Sequence, residues 1–357
     1  MRSLTGLPLL AMMLGTIATE PAGIASASAS ASASAADTPL ARARSLEAPA
    51  PKAQTGGELE GAEFWEEHAT TLTAAWRELG LRNASLGKLQ DGFVALRLEA
   101  AVAAARAAPS AETEAAVRAL WTKAAPGVWT ADLLVPSVIA ELRAELERIR
   151  DSGIPTRRPN GMNRYGVILD TEVGVPTLDG LISELVARYT RPIAAMLFPE
   201  HLVHTDTVES FVFTVRYKDG EDVSLAEHRD ASVATLNLNL NTPADGDDYG
   251  GSDLYFVDEK DPEVRHTVSF APGMAVLHTG SLRHAAMPIQ RGERQNLIVW
   301  LFGQNSEVRI APYDEAGQMS VEERWGAVGG AMRSARSGRE DLHVDDGWGD
   351  EKFKDEV

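Results

Sequence analysis

Three residues able to grip a metal ion lie in one part of the chain. His228 and Asp230 stand two positions apart in EHRD, so on an extended segment their side chains leave the same face and can hold one ion together. A third ligand must come from elsewhere. His284, fifty-six residues on in a stretch with strand character, is placed as a sheet that doubles back requires. Two imidazoles and one carboxylate on one face of an ion leave its other positions open. The chain has no cysteine, which excludes thiolate metal sites, disulfides and a cysteine nucleophile, so any metal must rest on His, Asp or Glu.

The segments around these residues read as short strands. VESFVFTVRY over 208–217 alternates two sets of side chains and stops at the turn signal Lys218-Asp219-Gly220. ATLNLNLN over 234–241 has strict period two, with Leu236, Leu238 and Leu240 on one face and Asn237, Asn239 and Asn241 on the other. SDLYFVD, HTVSF, MAVLHT and QNLIVWLF follow, separated by Gly, Pro and Asp. Strands at this spacing with no helices between them predict a sandwich or barrel, not a parallel sheet.

Upstream, the pattern turns helical. AEFWEEHATTLTAAWREL and LRLEAAVAAARAA carry apolar residues at helical spacing, and residues 58–125 read as two or three helices. Phe64, Trp65, Trp76 and Leu79 form a packing stripe, and His68, without a partner, reads as structural or solvated. Pro109-Ser110 with Glu112 marks a break and a capped restart. Residues 131–150 predict another helix, 157–170 a loop with a short strand, and 178–198 a long helix interrupted near Pro192. These helices are expected to buttress one face of the sheet.

The 357 residues carry 52 acidic against 34 basic side chains, a formal charge of −18 that disfavours attraction to phosphate backbones or anionic lipid. Nucleic acid is therefore set aside as a partner, and a basic substrate segment would suit the field better. At the N-terminus, Arg2, the apolar run LPLLAMMLGTIA and a small-residue stretch read as a secretory signal, with organelle import as the alternative. The run is too short for a stable membrane span. A sequon at Asn83-Ala84-Ser85 is compatible with secretory entry. The resulting division is a signal or transit peptide over 1–26, a disordered linker over 27–57, a helical segment over 58–125, the β domain over 126–310 and an acidic, partly disordered tail over 311–357. In that tail MSVEERWGAVGGAMRS has helical character, and the oligomeric state is not legible.

In order and context, these pieces resemble the 2-oxoglutarate- and iron(II)-dependent oxygenases, in particular the branch with prolyl and lysyl hydroxylases of proteins. The resemblance spans about residues 130 to 303. It rests on Tyr217 with Gly220, His228-Arg229-Asp230, Gly250-Gly251 leading into DLYF, Pro272-Gly273 and HAAMPIQRGERQNLIVW. It implies a mainly β fold with supporting helices, a double-stranded β-helix (jelly-roll) core preceded by an α-helical segment. It implies that His228, Asp230 and His284 hold Fe(II), that Arg294 binds the far carboxylate of 2-oxoglutarate, and that the Tyr217 hydroxyl also reaches that cosubstrate.

A turn at Arg291-Gly292 would bring Arg294 back beside His284 on the neighbouring strand, and a guanidinium suits a bidentate grip on a carboxylate. His278 is expected as a core or supporting histidine and Gly250-Gly251 as a bulge or close backbone approach. Loops over 156–166 and 242–249 are expected at the barrel mouth. With O2, and with ascorbate in support, the implied reaction is hydroxylation of an unactivated C–H bond, yielding succinate and CO2; the Asp230 carboxylate favours this over halogenation. A peptidyl proline or lysine is expected ahead of a small molecule. The rivals are a cupin-like metal-binding jelly roll that needs no Arg294, and a catalytically idle interaction module.

Overall fold

The computed structural model describes residues 38–48, 62–159, 162–169, 174–202, 210–242, 249–303, 307–309 and 318–320. Its helices are α1 (Pro39–Arg44), α2 (Ala62–Leu79), α3 (Leu96–Ala107), α4 (Ala111–Arg118), α5 (Pro136–Asp151), α6 (Asp179–Leu185) and α7 (Arg191–Leu197). The strands begin with β1 (Thr122–Ala125), β2 (Val128–Asp132), β3 (Val167–Ile168), β4 (Ser210–Lys218), β5 (Leu225–His228) and β6 (Ala234–Asn239). They continue with β7 (Gly250–Gly251), β8 (Leu254–Val257), β9 (Arg265–Val268), β10 (Met274–Thr279), β11 (His284–Ala286), β12 (Ile289–Arg291) and β13 (Glu293–Leu301). Finally β14 (Glu307–Arg309) pairs with β15 (Gln318–Ser320).

Two antiparallel sheets make the jelly roll. The larger has the order β1-β2-β10-β6-β13-β4-β3 and the smaller β5-β11-β8-β9, with β12-β7 as a separate short ladder. Period-two patterning decides which way each face points. Leu236, Leu238 and Leu240 join Leu277, Leu297 and Val299 in a core shared with α2 to α7, so the larger sheet lies against the helices as expected. The opposite face meets the smaller sheet, where Phe213, Val215 and Ile298 pack with Leu254, Phe256 and Ala286.

Local chemistry explains some of the helix ends. Ser110 caps α4 in a capping box with Thr113, as the break at Pro109 requires. The expected long helix over 178–198 divides at Val186–Thr190, a π-helical turn before Pro192 in the first turn of α7. Pro192 has no N–H to bond backwards and its ring crowds the carbonyl four residues earlier, so the ladder widens there. Trp76 is buried, Trp65 packs on the same core under Arg157, and His68 lies edge-on to Phe64.

Several expectations shift. Residues 131–132, read as helix, end strand β2, and α5 starts only at Pro136, whose fixed φ suits the first helical position. The sheet also begins at Thr122, inside the segment read as purely helical. Within the linker expected over 27–57, Pro39–Arg44 is a helix: Thr38 caps it, Ala43 is buried, and Arg44 Nε donates to the Ser152 carbonyl at 2.6 Å. Tertiary contacts thus fold a stretch whose own composition could not. Met319 and Ser320, read as helical, lie in β15 because the backbone pairs with β14. The sequences read as signal or transit peptide lie outside the described residues, as does most of the tail. No helix among the described residues is long and apolar enough to cross a membrane.

The helices approach one another closely at Gly180. A Cβ there would stand 2.2 Å from the Gly87 carbonyl oxygen, at the end of the 3-10 turn that Asn83 of the sequon caps through Ser85 N. Backbone cannot swing aside as a flexible side chain can. Gly180→Ala is expected to cost about 1 to 3 kcal/mol, read as a lower urea midpoint with an unchanged slope.

Candidate active site

His228 ends β5 and His284 begins β11, and the two are direct cross-strand partners with ring centroids 4.3 Å apart. The fifty-six-residue gap between them in sequence is therefore closed by one antiparallel pairing. Asp230 lies just past β5, anchored by its own N–H to the Gly280 carbonyl at 3.0 Å. Its Oδ1 is 3.3 Å from His228 Nε2 and 3.8 Å from His284 Nε2. One ligand atom from each of the three residues falls within 4.8 Å of the others, close enough for a single ion.

The backbone sets the tautomers. His228 Nδ1 meets the Ala226 carbonyl at 2.8 Å and His284 Nδ1 meets the Leu282 carbonyl at 2.9 Å. A carbonyl can only accept, so each imidazole carries a proton on Nδ1 and turns its Nε2 edge toward Asp230; His228 Nε2 also donates to the carboxylate, whereas the neutral His284 presents an Nε2 lone pair. Burial would raise the Asp230 carboxyl, but His284, His228 and His278 outweigh it and hold it below the usual carboxylate range. Burial presses His284 down to about 3, with Asp230 opposing. Burial also depresses His228, yet the hydrogen bond and charge of Asp230 win and raise it. At neutral pH an ionised carboxylate and a neutral His284 already stand in metal-ligating form.

Behind the carboxylate lies a hydroxyl relay. Thr235 Oγ1 donates to Asp230 Oδ2 at 2.5 Å, and because that uses its only proton it accepts from Ser232 Oγ at 2.7 Å. This leaves Oδ1 as the oxygen directed at the two imidazoles. His278, on β10, is buried with Nε2 3.9 Å from Asp230 Oδ2, and its ring lies 4.6 Å from that of His284. It borders the cluster without completing it, as expected for a supporting histidine.

Arg294 departs from the expected placement. It lies on β13 of the larger sheet, opposite Tyr217 on β4, whereas His284 is in the smaller sheet, so the two are not on neighbouring strands. After the Arg291-Gly292 turn the chain crosses between sheets instead of forming a hairpin with β11. The guanidinium is wholly buried, sandwiched at 4.8 Å from the Tyr217 ring and 5.0 Å from the Phe270 ring. Its Nη1 donates to the Ser252 carbonyl, while Nε and Nη2 have no hydrogen-bond partner. Burial pushes its pKa down and raises the Tyr217 phenol to about 12, so the cation faces a neutral hydroxyl.

Gly250-Gly251 make the expected close approach. Gly251 has φ +77°, and a Cβ there would stand 2.7 Å from the Pro288 oxygen. Ser252 follows at φ +63°, in the backbone kink that turns its carbonyl to Arg294.

A cavity opens beside the cluster, and Tyr217 lines it, whereas Arg294 stacks on that ring from outside the lining. The cavity is bordered by His228, Asp230, His284 and Tyr217, with Phe213, Val215, Ile298 and Trp300 forming an apolar wall and Thr235 and Asn237 a polar one. Met162 and Asn163 reach its mouth, as expected of 156–166; of the second expected loop, 243–248 lies outside the described residues. Thr235, Phe213 and Trp300 were not evident as site residues in the sequence. The signal available was parity: Thr235 shares the period-two face of Asn237 and Asn239.

Two imidazoles and one carboxylate whose ligand atoms converge suit a non-haem iron(II) ion, and a buried arginine short of acceptors suits a carboxylate. Residues 82–202, all N-terminal to the His-Asp-His cluster, match the OGFOD2-like domain. The 2-oxoglutarate and iron-dependent oxygenase domain-containing protein 2 of Xenopus tropicalis is 33% identical over 229 residues, covering 63% of this chain and 62% of that protein. The multifunctional procollagen lysine hydroxylase and glycosyltransferase LH3 of Rattus norvegicus is 37% identical over 117 residues, 32% of this chain and 15% of that one. Among solved structures, a Pseudomonas putida prolyl-4-hydroxylase aligns at 19% identity and TM-score 0.37, covering 50% of this chain and 93% of its own. The chain is similar to the 2-oxoglutarate and iron-dependent oxygenase domain-containing proteins and spans less than two thirds of the frog protein's length.

The relay yields a test. Thr235→Val keeps the shape of the side chain but frees Asp230 Oδ2, and is expected to weaken Mn(II) binding by about tenfold in calorimetry. Thr235→Ser should restore it. Equal dissociation constants for wild type and the valine variant would mean that Asp230 is held without the hydroxyl.

Proposed function

We propose that the protein is an Fe(II)- and 2-oxoglutarate-dependent dioxygenase that hydroxylates an unactivated C–H bond, with a peptide or protein substrate. The observation that carries this reading is the buried Arg294, whose Nε and Nη2 lack acceptors and whose guanidinium stacks on Tyr217, a residue that lines the cavity of the His-Asp-His cluster. An unpaired buried cation costs several kcal/mol, and a dicarboxylate would relieve it by accepting those N–H groups. A cupin-like protein without 2-oxoglutarate would have no use for this group.

In this reading His228, Asp230 and His284 hold the iron through two Nε2 atoms and Oδ1. Arg294 takes the distal carboxylate, and the Tyr217 hydroxyl serves as a neutral donor beside it. When bound, iron and 2-oxoglutarate use O2 to decarboxylate the oxo acid, placing one oxygen atom in succinate and the other in the hydroxylated product, with CO2 released. The chain's own contribution is positional. Carbonyls of Ala226 and Leu282 fix the imidazoles, Thr235 fixes the carboxylate, and the wall of Phe213, Ile298 and Trp300 keeps water from the reacting carbon.

Peptidyl proline or lysine is the proposed target, supported by the likeness to a protein named as a procollagen lysine hydroxylase. Ascorbate is proposed as a supporting reductant. Residues 1–26 are proposed to direct entry into the secretory pathway, with organelle import as the rival; 27–57 is proposed as a linker interrupted by the helix Pro39–Arg44, 58–125 as a helical segment whose end already holds the first strand, 126–310 as the dioxygenase domain and 311–357 as the tail.

The test is turnover of 2-oxoglutarate with Fe(II) and ascorbate. Wild type should form succinate and His284→Ala should not; equal succinate from both would falsify the assignment. Arg294→Lys keeps the charge but loses the planar fork, and should raise the 2-oxoglutarate KM by at least about tenfold while Mn(II) binding persists. An unchanged KM would place the cosubstrate elsewhere.

A further inference from the structure

We infer that Asn237 is a further binding residue of the active site and Asn296 its positioning residue: Asn296 holds the Asn237 amide so that its N–H groups donate to a carboxylate oxygen of the bound 2-oxo acid. This rests on the dioxygenase reading above.

The face of Asn237 runs on through Asn239 and Asn241, and these two amides are spent on the protein itself. Asn239 Nδ2 reaches the Tyr249 hydroxyl at 2.9 Å and the Phe270 and Ala271 carbonyls at 3.0 and 3.1 Å, while its Oδ1 accepts from Asn241 N. Asn241 donates to the Glu293 carbonyl and accepts from Gln295 N. Asn237 differs. It lines the cavity with Thr235 and His278, and its Oδ1 accepts from Asn296 Nδ2 at 2.6 Å. With the oxygen so engaged, the Nδ2 donors are what the side chain has left to offer the cavity.

Asn296 is wholly buried on β13, and its own Oδ1 has no hydrogen-bond partner. The arrangement leaves bare an oxygen, the cheaper amide atom to bury unpaired. Packing gives no reason for such a pair. The cross-strand partner of Asn237 is Ile298, a member of the apolar wall, and two leucines in place of the asparagines would fill similar space with no polar atom left over.

The ladder places the pair between the two features the oxo acid is proposed to use. Along it, Thr235 stands opposite Trp300, Asn237 opposite Ile298 and Asn239 opposite Asn296, with Arg294 one step beyond on the same face. Thr235 braces the metal-ligand candidate Asp230 at one end and Arg294 waits at the other. The single proton of Thr235 is spent on Asp230, so the donor at the middle level is the Asn237 amide. A neutral amide N–H suits a carboxylate oxygen and adds no charge beside the metal ligands.

The full chain loaded with Mn(II) would be titrated with 2-oxoglutarate in a calorimeter, and each variant unfolded in urea. Asn237→Leu should bind 2-oxoglutarate at least about tenfold more weakly while holding Mn(II) as well as wild type, since a hydrogen bond to a charged group is lost. Asn237→Asp should bind more weakly still, because its carboxylate would face that of the ligand. Asn296→Leu frees the Asn237 amide to turn and should weaken binding by a smaller factor without lowering the urea midpoint. The double leucine variant should bind no more weakly than Asn237→Leu alone and unfold at the same or a higher urea concentration. Equal or tighter binding by Asn237→Leu, additive losses in the double variant, or a lowered midpoint there with unchanged binding would overturn the inference. If Arg294→Lys weakens the titration and Asn237→Leu does not, this inference falls alone. If Mn(II)-loaded wild type binds no 2-oxoglutarate, the dioxygenase reading falls with it.

Discussion

A carboxylate buried away from water needs compensation, and in this protein the carboxylate of Asp230 organises its surroundings. Its Oδ1 accepts from His228 Nε2 and lies near His284 Nε2, with both imidazoles oriented by backbone carbonyls at Nδ1, and its Oδ2 accepts from Thr235, itself supplied by Ser232. The approach of the chain is equally constrained: the Asp230 N–H is held by Gly280, where a Cβ would stand 1.9 Å from the Ser232 oxygen. Strand pairing, close packing and hydrogen bonding all meet at one side chain. An uncompensated charge in that position would be too costly to keep, so the cluster reads as a receptor for a cation.

The second buried charge has the opposite sign and the opposite sheet. Arg294 is held by two aromatic rings and one carbonyl, with two donors left over. The two sheets thus contribute opposite charges, the His-Asp-His cluster from the smaller sheet and its edge, the guanidinium from the larger. The helices matter to this arrangement indirectly. By covering the leucine face of β6 and its neighbours they let the other face of the larger sheet carry Thr235, Asn237 and Asn296 without exposing an apolar surface to water.

Sequence alone went far here because its strongest signals were periodic or obligatory. Alternation in ATLNLNLN told the helix-facing side from the interior, the spacing of His228 and Asp230 put both on one edge, and a strand around His284 supplied a third ligand. Breaks at Pro109 and Pro192 were legible because proline's missing N–H acts locally. What local rules could not give was register between distant segments. That His228 pairs with His284, that Thr235 reaches Asp230, that Arg294 lies across from Tyr217 and not beside His284, and that Pro39–Arg44 folds against Ser152 all depend on contacts between residues far apart in the chain. Types and spacing determined which chemistry the residues can perform; only the packing of the two sheets decided which of them meet, because hydrogen-bond register and burial are properties of pairs of segments and not of either one.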